Sequence, residues 1–131
     1  MKKTQLITIL LIFLFSINYG QETFWKKTDS EGTAYLCLIE DDNTFGDHFR
    51  FYYTGNDQHY LMRLKYDYNL NVYRMRKNDG WSGNYYIYLK NGFLYMNVPN
   101  DEFAIKFKRI KPYEIPDYIL YDTNYKEREV R

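Results

Sequence analysis

Between Tyr35 and Ile110 the chain alternates apolar and polar residues with a period of two, and Asn, Asp and Gly interrupt the alternation at short intervals. Successive side chains of a strand point to opposite faces, so this pattern specifies consecutive β-hairpins. A two-residue loop fixes which residues face one another, so each turn can be tested for consistency. With Asn56-Asp57 as a loop, Phe49 faces Leu64, Phe51 faces Met62 and Tyr53 faces Tyr60. With Asn69-Leu70, Tyr66 faces Tyr73 and Leu64 faces Met75. Asn91-Gly92, the strongest turn signal, sets Leu89 against Leu94, Ile87 against Met96 and Tyr85 against Val98. With Asn100-Asp101, Val98 faces Phe103, Met96 faces Ile105 and Leu94 faces Phe107. All four turns place apolar residues opposite apolar residues on one continuous face.

These registers predict strands near residues 35–40, 48–55, 58–68, 71–77, 84–90, 93–99 and 102–110, with Phe24–Lys27 as a candidate strand in front. Asn78–Gly83 is a looser, turn-rich link. A meander of this length must bury its face against a second layer or by closing on itself. No helix pattern between the strands supplies a layer, and closure also removes exposed edges. The expected fold is therefore all-β: a single antiparallel up-and-down meander of seven to nine strands, closed into a small barrel. The alternative is an open or half-open sheet covered by the C-terminal segment. The many inward aromatics argue for a filled interior.

The chain divides into a signal peptide over residues 1–20, the β domain over 21–111 and a C-terminal segment over 112–131. Lys2 and Lys3 precede an apolar run from Leu6 to Ile17, and Gly20 offers a small residue for cleavage. That run of about 12 residues is shorter than the roughly 20 that cross a bilayer. The reading is an exported protein, periplasmic or secreted, with no membrane span after cleavage. Removing the two lysines takes the formal charge from +1 to −1. A near-neutral domain has no general attraction to nucleic acid. One cysteine, Cys37, gives no disulfide framework, so packing must supply the core. In the last segment, Tyr118–Tyr121 reads as a closing strand or a turn of helix, and Lys126–Arg131 as a frayed, charged end.

The face opposite the core carries two candidate sites. The registers above put Arg50 opposite Arg63 and Arg63 opposite Arg76, and put His48 opposite Lys65 and Lys65 opposite Arg74. Like charges facing one another are destabilising, so these two cationic rows point to an anionic ligand or an acidic partner. Further along, Tyr86 and Tyr88 lie on the same outer face with Tyr88 opposite Tyr95, and Phe93 and Trp81 lie nearby. Exposed aromatic rings of this kind stack on sugars or on another protein. The expected ligand-binding residues are thus Arg50, Arg63, Lys65, Arg74, Arg76, Tyr86, Tyr88 and Tyr95.

No catalytic constellation, cofactor motif or metal set is evident. His48 and His59 fall far apart along their hairpin, Cys37 is expected to face inward as a small buried hydrophobe, and no GxSxG, phosphate-loop or zinc-protease motif occurs. The acidic loop Asp41–Asp47 resembles the start of a calcium loop but has Phe45 and Tyr52 where oxygen ligands belong. The sequence therefore predicts a non-enzymatic binding module that recognises a small or polymeric ligand, anionic or glycan. The alternative is a protein-interaction factor, an inhibitor or an accessory subunit of an envelope complex.

Overall fold

A computed structural model describes residues 21–29, 32–40, 46–55 and 57–131. The signal-peptide reading, most of the acidic loop and Asn56 lie outside the described residues. The described residues form nine strands: β1 (Gln21–Asp29), β2 (Gly32–Glu40), β3 (His48–Tyr53), β4 (Gln58–Asp67), β5 (Val72–Lys77), β6 (Gly80–Lys90), β7 (Phe93–Asn97), β8 (Ile105–Ile110) and β9 (Lys126–Arg128). Each of β1 to β8 pairs antiparallel with its chain neighbour, and β8 pairs with β1 to complete the ring. The result is a closed eight-stranded up-and-down barrel with β9 outside the ring.

The inward face is the apolar face read from the sequence. Trp25, Leu36, Leu38, Phe49, Leu64 and Ile87 belong to one core cluster, with Leu36, Leu38, Ile87 and Leu94 wholly buried. Each such Leu, Ile or Phe contributes roughly 1.5–3 kcal/mol of transfer free energy. The pairs Tyr66–Tyr73, Leu64–Met75, Ile87–Met96, Leu89–Leu94, Leu94–Phe107 and Met96–Ile105 form as expected. At the Asn91-Gly92 turn both residues have positive φ, 53° and 81°, the geometry that matches strand twist in a two-residue hairpin.

Local chemistry departs from the expected pairing at three turns. Between β3 and β4 the loop has four residues, because Thr54 leaves the hairpin to bond Thr33 of β2 through both its backbone N–H (3.0 Å) and its hydroxyl (3.0 Å). The register moves by two, so Phe49 faces Met62 and Phe51 faces Tyr60. A shift of two preserves the face, and the core survives it. After β7 the ladder stops, since Pro99 has no N–H to donate. Phe103, expected opposite Val98, is therefore 78% exposed. Between β5 and β6 the turn is the tight Asn78-Asp79, with Lys77 facing Gly80. The extra residues form a bulge whose Ser82 hydroxyl accepts from the N–H groups of Asn84 and Tyr85 at 3.1 and 3.0 Å.

The C-terminal segment has two tasks. A 3-10 turn at Pro112–Glu114 leads to α1 (Asp117–Leu120), which settles the ambiguity at Tyr118–Tyr121 in favour of a helical turn. Ile115 and Ile119 pack on Phe24, Cys37, Ile39 and Tyr52, forming a second cluster on the outside of β1–β3. This corrects the placement of Cys37. It is buried as expected, but it points outward beneath α1. The continuous run Leu36-Cys37-Leu38-Ile39 is buried on both faces, so alternation could not assign its faces. The charged end is also not frayed. β9 runs parallel to β4 beside Tyr60–Met62, and Val130 donates its N–H to Arg76 at 2.9 Å and packs on the barrel core. Charge composition suggested fraying, but the acids of this tail meet arginines distant in sequence.

Candidate functional site

Along β1, Trp25 points inward, and with it, two residues on, Lys27. At this end of the barrel the hairpins β1–β2, β3–β4 and β7–β8 turn, and the interior is not filled. A cavity of about 290 Å³ opens there, lined by Ala34, Phe51, Tyr53, Met96, Ile105 and Phe107, together with Gly32, Lys27, Gln58 and Tyr60. The expectation of a filled interior holds for the opposite end, where Leu36, Leu38 and Leu94 leave no exposed surface. It does not hold at the mouth. Ala34 is the smallest side chain in its row of β2, and Gly32 adds none.

The mouth is amphipathic. Phe51 and Phe107 meet edge to face at 6.4 Å, and Phe51 lies 5.3 Å from the Tyr60 ring. Burial raises the Tyr60 phenol above its ordinary pKa, with Arg128 pulling the other way, so its O–H is a standing donor. From β9, the Arg128 guanidinium lies 5.1 Å over the Tyr60 ring and donates to Gln58 Oε1 at 3.3 Å. Sequence reasoning missed this site. The placement of Lys27 required β1 to extend to Asp29, and that of Arg128 required the tail to pair with β4.

The cationic residues are brought onto neighbouring strands, but not as uninterrupted rows. Arg50 faces Leu61, not Arg63, and Arg63 faces His48. That is the register correction above, and it removes the predicted Arg50–Arg63 pair. β4 and β5 pair from Leu64–Met75 toward their shared turn, and β9 lies beside β4 beyond that point, so Arg63 and Arg76 are not ladder partners. Glu127 pairs with Arg63, and Glu129 approaches Arg76 at 3.9 Å. Arg76 also stacks on Trp81 at 5.1 Å. Lys65 does face Arg74, as expected. Arg74 in turn binds Asp67 at 2.9 Å and the carbonyls of Ser82 and Gly83. Arg50 lies 5.6 Å from the Tyr125 ring centroid and 3.9 Å from Cys37 Sγ. The repulsion that suggested a ligand is thus offset largely by acids of the same chain.

The tyrosines do form a platform. Tyr88 and Tyr95 stack at 5.2 Å with planes 13° apart, and Tyr86 lies 6.2 Å from Tyr88. All three are half-buried on the outer wall. Tyr86 and Tyr88 flank a shallow groove of about 450 Å³ shared with Leu70, Arg74 and Lys90. The described C-terminal segment packs on β1–β3 and beside β4.

A third cluster lies beneath α1. His59 meets Asp122 at 2.9 Å, Tyr52 donates to Asp57 at 2.8 Å, and the Tyr52 and His59 rings meet edge to face. The gap among these groups and Cys37 is only about 20 Å³, which leaves room for little more than one water. Burial raises the Cys37 thiol to about 11, against the smaller opposing pull of Arg50, so the nucleophilic thiolate is suppressed. His48 bonds the Gly46 carbonyl at 2.9 Å. Among the described residues no three His, Cys, Asp or Glu side chains converge as a metal site. No helix of the described residues is long and apolar enough to cross a membrane.

No protein family, curated protein or solved structure gives a significant match to this chain. The functional reading therefore rests on geometry.

Proposed function

We propose that the protein is an exported, non-enzymatic binding module that takes a small ligand with an apolar body into the mouth of its barrel. The observation that carries this reading is the cavity itself. It is concave, its floor is apolar and aromatic, and a few polar groups stand at its rim, the arrangement typical of small-molecule sites. Its volume of about 290 Å³ suits a slender ligand. The cationic and aromatic rows expected from the sequence become secondary on this reading, since carboxylates of the chain already engage Arg63, Arg74 and Arg76.

The test is a thermal melt with and without dodecanol, repeated on Ala34→Leu, which places extra volume in the cavity. A ligand at 100 times its dissociation constant adds about 2.7 kcal/mol, several degrees for a domain of this size. The expected result is a shift in the native protein that Ala34→Leu loses. If Ala34→Leu melts much lower on its own, Ile105→Phe serves as the second blocking variant. An equal shift in the folded variants contradicts the reading.

A second reading has its own observation. The stacked Tyr88–Tyr95 pair, with Tyr86 and the adjoining groove, presents flat rings to solvent beside Arg74 and Lys90. This supports recognition of a glycan on the outer wall. It is tested by glycan-array binding of the native protein against Tyr88→Ala, with loss of binding expected. A protein-interaction role would instead need a broad patch and a partner recovered from envelope extract.

A further inference from the structure

The stacked rings of Tyr88 and Tyr95 stand on β6 and β7 with a shallow groove on either side. The groove toward β5 is the one shared with Arg74 and Lys90. The other, of about 320 Å³, lies over β8 and β1, and its lining includes Phe93, Lys106 and Lys108. The register explains how cations and rings come together. Lys106 faces Tyr95 and Tyr95 faces Tyr88, so one row reads cation, ring, ring from β8 to β6. Two residues along, roughly 6.6 Å, Lys108 faces Phe93 and Phe93 faces Lys90, a row that reads cation, ring, cation. Lys106 bridges the rows, its ammonium 3.9 Å from the Phe93 ring centroid. All three lysines are exposed and the three rings are half-buried. On β1, Lys26 faces Lys108, and like charges set opposite one another cost stability. The residues from Gly80 to Ile110 are all described, and the acids among them are Asp101 and Glu102. Both sit in the β7–β8 loop at the mouth end, whereas Lys90 and Phe93 flank the turn at the opposite end. These lysines differ from Arg63, Arg74 and Arg76, each of which has a carboxylate of the chain beside it.

We propose that the outer wall binds an acidic polysaccharide: its sugar rings lie on Tyr88, Tyr95 and Phe93, and its carboxylates or sulfates meet Lys90, Lys106 and Lys108. This rests on the outer wall being a glycan site, and it adds the charge class of the glycan and the residues that select it. Aromatic faces supply flat apolar area to a sugar ring. A lysine ammonium is a point charge on a flexible stem, which follows anions repeated along a polymer without demanding one fixed geometry. Each exposed ion pair is weak. A polymer engages several at once, so the contacts act together.

The test uses two pairs of polymers that share a backbone and differ in charge: polygalacturonate with its methyl ester, and dextran sulfate with dextran. Polyglutamate and oligothymidylate serve as polyanions of other classes. Binding is measured by calorimetric titration at one ionic strength on the native protein, on the double variant Lys106→Gln, Lys108→Gln, and on Tyr88→Ala. In at least one pair the charged polymer should bind ahead of its neutral form and ahead of polyglutamate and oligothymidylate. The double variant should reduce that preference by roughly five- to twentyfold, the scale of two exposed ion pairs. Tyr88→Ala should weaken the charged polysaccharide by about tenfold, the scale of one lost ring contact. A circular dichroism spectrum like that of the native protein shows that each variant is folded, and Tyr95→Ala replaces Tyr88→Ala if the latter is not. Preference in one pair alone supports the proposal and identifies the acid group. Neutral polymers binding as tightly as the charged ones overturn the charge selection while leaving the wall a glycan site. No binding by any polysaccharide overturns both. Polyglutamate or oligothymidylate binding as tightly as the charged polysaccharides makes the wall a general polyanion surface and overturns the proposal. So does an undiminished preference in the folded double variant, or undiminished binding in the folded tyrosine variant.

Discussion

His59 Nδ1 and Asp122 Oδ2 lie 2.9 Å apart, joining the start of β4 to the chain that follows α1 across 63 residues of sequence. Only 7% of the His59 side chain is exposed. The hydrogen bond from His59 is the main reason the Asp122 carboxyl titrates below its ordinary range, with the Asn124 N–H adding to it. A carboxyl whose folded pKa is depressed stabilises the fold above its unfolded pKa, about 4, and that contribution disappears as pH falls through the folded value. The native protein should therefore be more stable than Asp122→Asn near neutrality, and the two should converge on acidification below about pH 4. Urea melts at a series of pH values check this. A gap that widens toward low pH would contradict the assignment.

The same contact helps to hold the segment that buries Cys37. With its thiol raised to about 11, Cys37 should react with iodoacetamide at neutral pH far more slowly than an unstructured cysteine. Asp122→Asn should raise the alkylation rate by loosening α1 and its flanks. Mass spectrometry over time reads both rates. Equal rates in the two proteins would separate Cys37 burial from the tail.

Val130 is the anchor of the tail. Its side chain packs on the barrel core, and its N–H bonds Arg76. Val130→Ala should cost about 1 kcal/mol, the scale of losing two partly buried methyl-sized groups. Arg63→Ala should cost less than that, because exposed ion pairs contribute about 0–1 kcal/mol. Chemical denaturation measures both. A larger loss at Arg63 than at Val130 would mean that charge, not packing, seats the tail.

Leu36 tests the core. It is wholly buried between the walls of the barrel, and Leu36→Ala should cost about 2–5 kcal/mol through lost contacts and a cavity. Lys65→Ala, on the exposed outer face, should stay within about 0.5 kcal/mol. Equilibrium unfolding of both variants checks the contrast.

The barrel was legible in the sequence where the information is local. Asn91-Gly92 sets its own turn geometry, so Leu89–Leu94 and Ile87–Met96 follow from the turn alone. The face of Phe49 and Phe51 was also legible, because a register error of two residues keeps each side chain on its side. The register itself was not, since it depends on Thr54 bonding Thr33 on a strand that ends far away in sequence. The site was less legible than the fold. Tyr88 opposite Tyr95 could be read from one hairpin. Lys27 faces the interior only because β1 closes the ring, and Arg128 reaches the rim only because a charged tail finds β4. No local pattern in Lys126–Arg131 announces a strand. What holds it is Val130 on the barrel core and the pairing with β4, with Glu127 and Glu129 opposite Arg63 and Arg76 adding to them.

The most direct test of the account is to locate the bound ligand. Amide and methyl chemical-shift changes in a labelled sample titrated with dodecanol would map its position residue by residue. The account predicts the largest changes at Ala34, Phe51, Ile105 and Phe107, with Tyr60 and Arg128 at the rim. Changes confined to Tyr86, Tyr88 and Tyr95 would place binding on the outer wall and contradict it, and so would a spectrum that dodecanol leaves unmoved.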